Sequence, residues 1–137
     1  MRIYVDSSAL LKRVLAEGES EALKASLRSQ VEQGAALVTS SLAWVEVSQA
    51  LRALVAGPSS ADIDHLSDLA LSGILERRIS SEVVALARRL QPAVLRSLDA
   101  IHLASAVLLD VDLIVAYDQR LAEAARHHGM RVSSPSD

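Results

Sequence analysis

The chain of 137 residues contains no cysteine and no phenylalanine, and its aromatic residues are one tryptophan and two tyrosines. The absence of cysteine excludes disulfide bonds and thiolate metal ligands. Because aromatic residues are so few, the core has to be built from Leu, Val, Ile and Ala, which suits α/β and all-helical folds. No segment approaches the roughly 18 uninterrupted apolar residues of a membrane span, so we expect no association with a membrane.

Positive charge is also scarce, with 14 Lys and Arg against 17 Asp and Glu and a net charge of −3. This balance argues against a protein that coats nucleic acid through bulk positive charge, but it permits a nucleic-acid enzyme with local basic residues. The segment MRIYVDSS lacks the apolar run and cleavage site of a signal peptide. We expect a cytoplasmic protein with one domain over residues 1–134 and a frayed tail at 135–137.

Short apolar segments alternate with helical patterns along the whole chain. The predicted strands cover residues 3–5, 35–39, 75–79, 113–117 and 130–132, and the predicted helices cover 7–15, 19–33, 41–56, 59–73, 81–90, 97–110 and 119–128. Gly34, the pair Gly57 and Pro58, and Gly129 mark helix ends, and Ser97 is the predicted cap of the most apolar helix. Apolar strands separated by helices are typical of a parallel sheet that is covered on both faces. We therefore predict an α/β domain of three layers, with a parallel sheet of four or five strands flanked by helices.

Four acidic residues occupy positions where a parallel sheet collects functional groups. Asp6 and Asp118 follow apolar strands, and binding sites in such sheets lie beyond the carboxyl ends of the strands. Asp99 is in the first turn of the apolar helix, and Glu46 is about one turn into the helix after the second strand. Each acid alone has an ordinary explanation, since Asp6 and Asp118 could be helix caps, Asp99 could interact with the helix dipole, and Glu46 could be solvated.

Taken together, the acids favour a metal site. The helix around Asp99 carries apolar residues that we expect to be buried, namely Leu98, Ile101, Leu103, Val107 and Leu108. An ionised carboxylate beside them is costly unless it is paired or binds a metal. Several carboxylates that converge also repel one another, which raises their pKa values unless a cation is present. Oxygen ligands without cysteine favour Mg²⁺ or Mn²⁺, and such a site suits phosphodiester hydrolysis.

The segments VDSSALLK, SSLAWVEV, LDAIHLASA and VAYDQRLAEAA occur in this order, and the resemblance they carry covers residues 1–134. Together they resemble the PIN-domain ribonucleases and are most similar to the VapC toxins of type II toxin–antitoxin systems. The resemblance implies an Mg²⁺- or Mn²⁺-dependent endoribonuclease in which Asp6, Asp99 and Asp118 contact the metal. It implies that Glu46 orients or deprotonates the attacking water. It also implies an RNA substrate, a cognate VapB-type antitoxin and a homodimer.

Three further residues lie next to the acids in the sequence. The resemblance implies that Ser7 donates its hydroxyl to the pocket. Arg96 precedes the pocket acid Asp99 and is the first candidate for a contact with RNA phosphate. His102 lies three residues after Asp99 on the same helix face, and we predict that it is a hydrogen-bonded core residue rather than a metal ligand.

Three other functions compete with a toxin. A housekeeping PIN nuclease would use the same acids in RNA processing, and only a linked antitoxin gene would separate the two. A phosphotransfer domain also places Asp at strand ends, but the dehalogenase pattern needs a second Asp where this chain has Ser8, and a receiver needs a late Lys, whereas none follows Lys24. A non-catalytic binding module with four capping acids predicts no metal binding and no loss of activity when Asp99 is changed.

Overall fold

The computed structural model describes residues 1–54, 57, 59–92 and 94–136. The described residues form five strands, β1 (Arg2–Val5), β2 (Ala36–Ser40), β3 (Leu75–Arg77), β4 (Leu113–Val115) and β5 (Val132–Ser133). They also form seven helices, α1 (Ser7–Leu11), α2 (Ser20–Glu32), α3 (Leu42–Leu54), α4 (Ser60–Ala70), α5 (Ser81–Ala87), α6 (Ser97–Leu108) and α7 (Gln119–His127). All strand pairs are parallel. The predicted α/β architecture with a helix-flanked parallel sheet is confirmed.

The sheet divides the core into two clusters because successive side chains of a strand point to opposite faces. Ile3 and Val5 of β1 pack into a cluster with apolar residues of α1, α2, α3 and α4. Tyr4 points to the other face, where it packs with apolar residues of α6 and α7. All three side chains are fully buried, as expected for a strand covered on both sides.

The strand order β3-β2-β1-β4-β5 creates a crevice at the centre of the sheet. The chain builds outward from β1 through β2 to β3, and then crosses to the other side of β1 to add β4 and β5. Such a change of direction separates the connecting chains at the carboxyl ends of the two inner strands, and ligands bind in the gap. The gap lies beyond β1 and β4, which are the strands that precede Asp6 and Asp118.

Several helix boundaries differ from the prediction. Helix α1 ends at Leu11 rather than residue 15, because the chain continues in tighter turns such as the bond from the Arg13 N–H to the Leu10 carbonyl. Ser97 is the first residue of α6 and not its cap, since Arg96 occupies the cap position without a side-chain hydrogen bond. Helix α4 does begin with a capping box, which Ser59 forms with Asp62.

Three predicted helix ends concern glycine, and at one of them Gly129 follows α7 with a φ of 77°. Gly34 follows α2 with a φ of 93°, a left-handed conformation that residues with a side chain rarely adopt, and so it ends the helix as predicted. The predicted end of α3 at Ala56 and Pro58 lies outside the described residues, and the described part of α3 ends at Leu54.

The expectation that α6 is buried on most sides is wrong at three positions. Leu98, Val107 and Leu108 are 47%, 40% and 36% exposed. They lie at the two ends of the helix, whereas its central residues pack against the sheet. Within the described ranges, none of the helices combines the length and the apolar character that crossing a bilayer requires.

Candidate active site

Asp6 follows β1 directly and is 3% exposed. Its Oδ1 atom accepts hydrogen bonds from the Ala9 N–H at 3.0 Å and from the Ser8 hydroxyl at 2.7 Å, so the carboxylate caps α1. Burial raises the pKa of Asp6 from 3.8 to about 6, and the hydrogen bonds oppose only part of this shift. The nearby charge of Asp118 raises the pKa further. Asp6 is therefore a carboxylate whose negative charge is poorly compensated by the protein.

Asp118 and Asp99 lie at the start of α7 and α6. Asp118 is exposed and caps α7, because its Oδ1 accepts the Arg120 N–H at 2.9 Å and the Leu121 N–H at 3.2 Å. Asp99 is half-buried, and its pKa is raised first by burial and then by the charge of Asp118. Asp99 and Asp118 line one cleft, and the charge of Asp118 raises the pKa of Asp6 as well.

Glu46 approaches the same place from α3. Its Oε1 atom accepts a hydrogen bond from the Ser7 hydroxyl at 2.6 Å and a second one from Nε2 of His102. Partial burial raises the pKa of Glu46, but the contacts with His102 and Ser7 outweigh this effect and hold the pKa below its usual range. Glu46 thus differs from Asp6, because the protein stabilises its ionised form.

An open cleft of about 600 Å³ gives access to three of the four acids, whereas the buried Asp6 is not among its lining residues. Its lining includes Glu46, Asp99, Asp118, Arg96 and Arg120. None of the ion pairs in the described ranges links Asp6, Asp99 or Asp118 to a cationic side chain. In the same part of the chain, no three His, Asp or Glu side chains are arranged so that they hold a metal ion by themselves.

Two residues next to the acids, Ser8 and His102, did not emerge as site residues from the sequence. Ser8 both donates to Asp6 and accepts the Tyr117 N–H, and thereby joins the chain after β1 to the chain after β4. Arg120 lowers the pKa of Asp99 through its charge. His102 is 3% exposed and hydrogen-bonded as predicted, but one of its partners is Glu46. The available signal was spacing, since Ser8 is two residues from Asp6 and His102 three from Asp99.

The sequence and the fold were compared with known proteins. The profile of the PIN domain family matches residues 3–127. The chain is 43% identical over 98% of both sequences to ribonuclease VapC46 of Mycobacterium tuberculosis. Its fold is similar to a chain of VapBC2 from Rickettsia felis bound to a DNA fragment from their promoter, with a TM-score of 0.74, 9% identity and coverage of 97% and 98%. It is also similar to VapC20 of Mycobacterium tuberculosis, a sarcin-ricin loop cleaving toxin, with a TM-score of 0.69, 14% identity and coverage of 89% and 94%.

Proposed function

Because this chain belongs to the PIN-domain family and, within it, to the VapC ribonucleases, we propose that it is the toxin of a toxin–antitoxin pair. In this proposal the protein hydrolyses RNA phosphodiester bonds at the cleft beyond β1 and β4. The observation that carries the proposal is the buried carboxylate of Asp6, whose pKa is raised by burial and by the charge of a neighbouring acid. A bound cation would offset both effects.

We propose Mg²⁺, or Mn²⁺ in its place, as the cofactor and Asp6, Asp99 and Asp118 as its protein ligands. The donor set fits a hard cation because it consists of carboxylate oxygens, without cysteine. Since no three such side chains in the described ranges are placed to ligate one ion together, some of the three carboxylates would contact it through water. Mg²⁺ commonly retains several water ligands in proteins, so this arrangement suits it. When bound, the ion supplies charge stabilisation to the phosphate under attack.

The protein's own groups carry the other parts of the reaction. Glu46 is held ionised by Ser7 and His102, so it can accept a proton from the attacking water. Arg96 and Arg120 line the cleft and can contact RNA phosphates on either side of the scissile bond. The RNA substrate class is supported by the description of the structurally similar VapC20 as a toxin that cleaves the sarcin-ricin loop.

The proposal includes a VapB-type antitoxin as the partner, a homodimer and a location in the cytoplasm. The partner is supported by the similar chain in the VapBC2 structure, in which toxin and antitoxin are bound together to promoter DNA. The homodimer is supported by the exposed apolar side chains of Val107 and Leu108 at the end of α6, which a second copy could cover.

The decisive experiment is cleavage of a defined RNA panel by the purified protein, freed of any antitoxin. Reactions contain Mg²⁺ or Mn²⁺, with and without EDTA, and compare the wild type with Asp99→Asn. We expect discrete cuts that disappear with EDTA and fall about 100-fold or more in the variant, because a metal centre contributes several kcal/mol to such reactions. Asp64→Asn, an exposed acid on α4, is the matched control and should cleave like the wild type.

The outcome also separates the competing functions. Cleavage that persists in EDTA and in Asp99→Asn would contradict the metal mechanism. A folded wild type that cuts no RNA in the panel would favour the non-catalytic module. Cleavage without growth arrest when the protein is produced in bacteria would favour a housekeeping nuclease over a toxin.

A further inference from the structure

A buried chain of hydrogen bonds leads from the core of the protein to the candidate active site. The Tyr4 hydroxyl and Nδ1 of His102 are 2.6 Å apart, and Nε2 of the same ring contacts Oε1 of Glu46. Tyr4 is fully buried and His102 is 3% exposed, whereas Glu46 lines the cleft. The chain therefore joins β1, α6 and α3, and of its three side chains only Glu46 has appreciable access to solvent.

The donors and acceptors in this chain can be assigned from the chemistry of the three side chains. An ionised carboxylate only accepts hydrogen bonds, so Nε2 of His102 has to carry the proton that it shares with Glu46. Burial raises the pKa of Tyr4 far above its usual range, so its hydroxyl keeps its proton and can donate it to Nδ1. A proton on Nε2 satisfies the contact with Glu46, whichever of Nδ1 and the Tyr4 hydroxyl donates in the other contact.

Glu46 presents its two carboxylate oxygens to different surroundings. Both hydrogen bonds that it receives, from Ser7 and from His102, end on Oε1. No donor among the described residues bonds to Oε2. Oε2 is therefore the atom that is available to water in the cleft. The orientation of this atom depends on how firmly Oε1 is held.

We propose that His102 is a positioning residue, which holds Oε1 of Glu46 so that Oε2 faces the attacking water. The inference rests on the proposed function, because it assigns His102 a part in the same reaction. A glutamate side chain has three rotatable bonds, and ordering it without fixed partners costs conformational entropy. Ser7 alone would leave Glu46 with one hydrogen bond, whereas the ring adds a second that is anchored in the core by Tyr4.

The alternative is that His102 only fills the core. A histidine with this role needs partners for its two ring nitrogens, but it has no need for a partner that lines the cleft. Both roles predict a loss of stability when the ring is removed. They differ in whether the rate of cleavage depends on the contact with Glu46 itself.

Two conservative variants separate these roles. In His102→Gln, the side-chain amide nitrogen can reach the position of Nε2 and donate to Glu46. In His102→Asn, the shorter amide can reach the position of Nδ1 and Tyr4, but not Glu46. We expect kcat on a cleavable RNA to fall about tenfold in His102→Asn, as for one lost hydrogen bond to a charged group. It should fall less than about threefold in His102→Gln, and KM should stay within about twofold in both.

Thermal unfolding of both variants controls for general damage. Equal losses of kcat in the two variants, in proportion to their losses of stability, would show that His102 is only a core residue. Tyr4→Phe provides a third variant, because it keeps the ring and its contact with Glu46 but removes the anchor. We expect a smaller fall of kcat there, about threefold.

A spectroscopic measurement tests the contact without relying on activity. Nitrogen NMR of the imidazole rings, assigned by the loss of one signal set in His102→Gln, should show a proton on Nε2. Glu46→Gln should shift the Nε2 resonance, because it replaces a charged acceptor with a neutral one. An unchanged resonance would overturn the inference even if the protein cleaves RNA. If the wild type cleaves no RNA, the proposed function fails, whereas the resonance still decides whether His102 holds Glu46.

Discussion

The carboxyl ends of β1 and β4 carry the same sequence pattern and yet differ in their chemistry. In both places an apolar strand leads to an aspartate that caps the next helix. Asp6 is buried, and its pKa is raised to about 6 chiefly by burial. Asp118 is exposed and accepts two main-chain N–H groups. A capping pattern therefore predicts where an acid lies, but it does not predict whether its charge is solvated.

The difference follows from the position of each strand and the length of chain after it. β1 is the central strand of the sheet, and Asp6 follows Val5 without an intervening residue. β4 ends at Val115, so Ala116 and Tyr117 separate Asp118 from the end of the strand. One acid is consequently held at the bottom of the crevice and the other at its rim.

The largest expected effect is the change that removing the charge of Asp6 makes in the free energy of unfolding when no metal is present. Because the folded pKa of Asp6 is raised from 3.8 to about 6, its stabilising contribution is present below pH 4 and lost as pH rises through 6. Asp6→Asn removes this charge and keeps an oxygen for the Ala9 N–H. We expect the variant to gain up to about 3 kcal/mol in free energy of unfolding above pH 7 and little at pH 4. Urea unfolding in EDTA at several pH values measures the gain.

Asp118→Asn is the matched control for that experiment. It also removes a carboxylate and keeps the helix cap, but at an exposed site, and asparagine and aspartate cap helices about equally well. We expect its free energy of unfolding to stay within about 0.5 kcal/mol of the wild type at neutral pH. Equal gains in the two variants would show that burial does not distinguish the two acids.

We expect an added divalent cation to change the stability of the protein by an intermediate amount. An ion that binds only the folded protein raises the free energy of unfolding by about 1.4 kcal/mol at ten times its dissociation constant. We expect Mn²⁺ to raise the melting temperature of the wild type, to have little effect on Asp6→Asn and to have a reduced effect on Asp118→Asn. Scanning calorimetry with and without EDTA provides the measurement. A full Mn²⁺ effect in Asp6→Asn would exclude Asp6 as a ligand.

The smallest effect concerns Ser8, which joins the two regions. Its hydroxyl donates to Asp6 and accepts the Tyr117 N–H, and its hydrogen bond lowers the pKa of Asp6. Ser8→Ala should reduce the free energy of unfolding by about 1 kcal/mol and move the pH dependence of stability caused by Asp6 to higher pH. Ser60→Ala, at an exposed position of α4, is the control. If Ser8→Ala and Ser60→Ala show the same pH dependence of the free energy of unfolding, then the Ser8 hydroxyl does not influence Asp6.

Much of the fold could be predicted from the sequence because its signals are local. Alternation between short apolar segments and helical periodicity predicted the parallel sheet and its flanking helices, and Gly34 predicted the end of α2. The helix boundaries were less accurate, as at α1, because the last turn of a helix depends on what it packs against. The four acids were predicted from their places after strands and in first helix turns, and their catalytic roles stay predictions.

The environment of each acid was decided only by the tertiary structure. His102 and Glu46 are 56 residues apart in the sequence and meet because α6 and α3 approach at the same edge of the sheet. The burial of Asp6 and the exposure of Leu98 depend equally on which elements cover them. A pKa is set by desolvation and by charges within a few ångströms, and both are properties of spatial neighbours. The order of residues along the chain thus determined which groups are present, and the packing of the elements decided which of them act on one another.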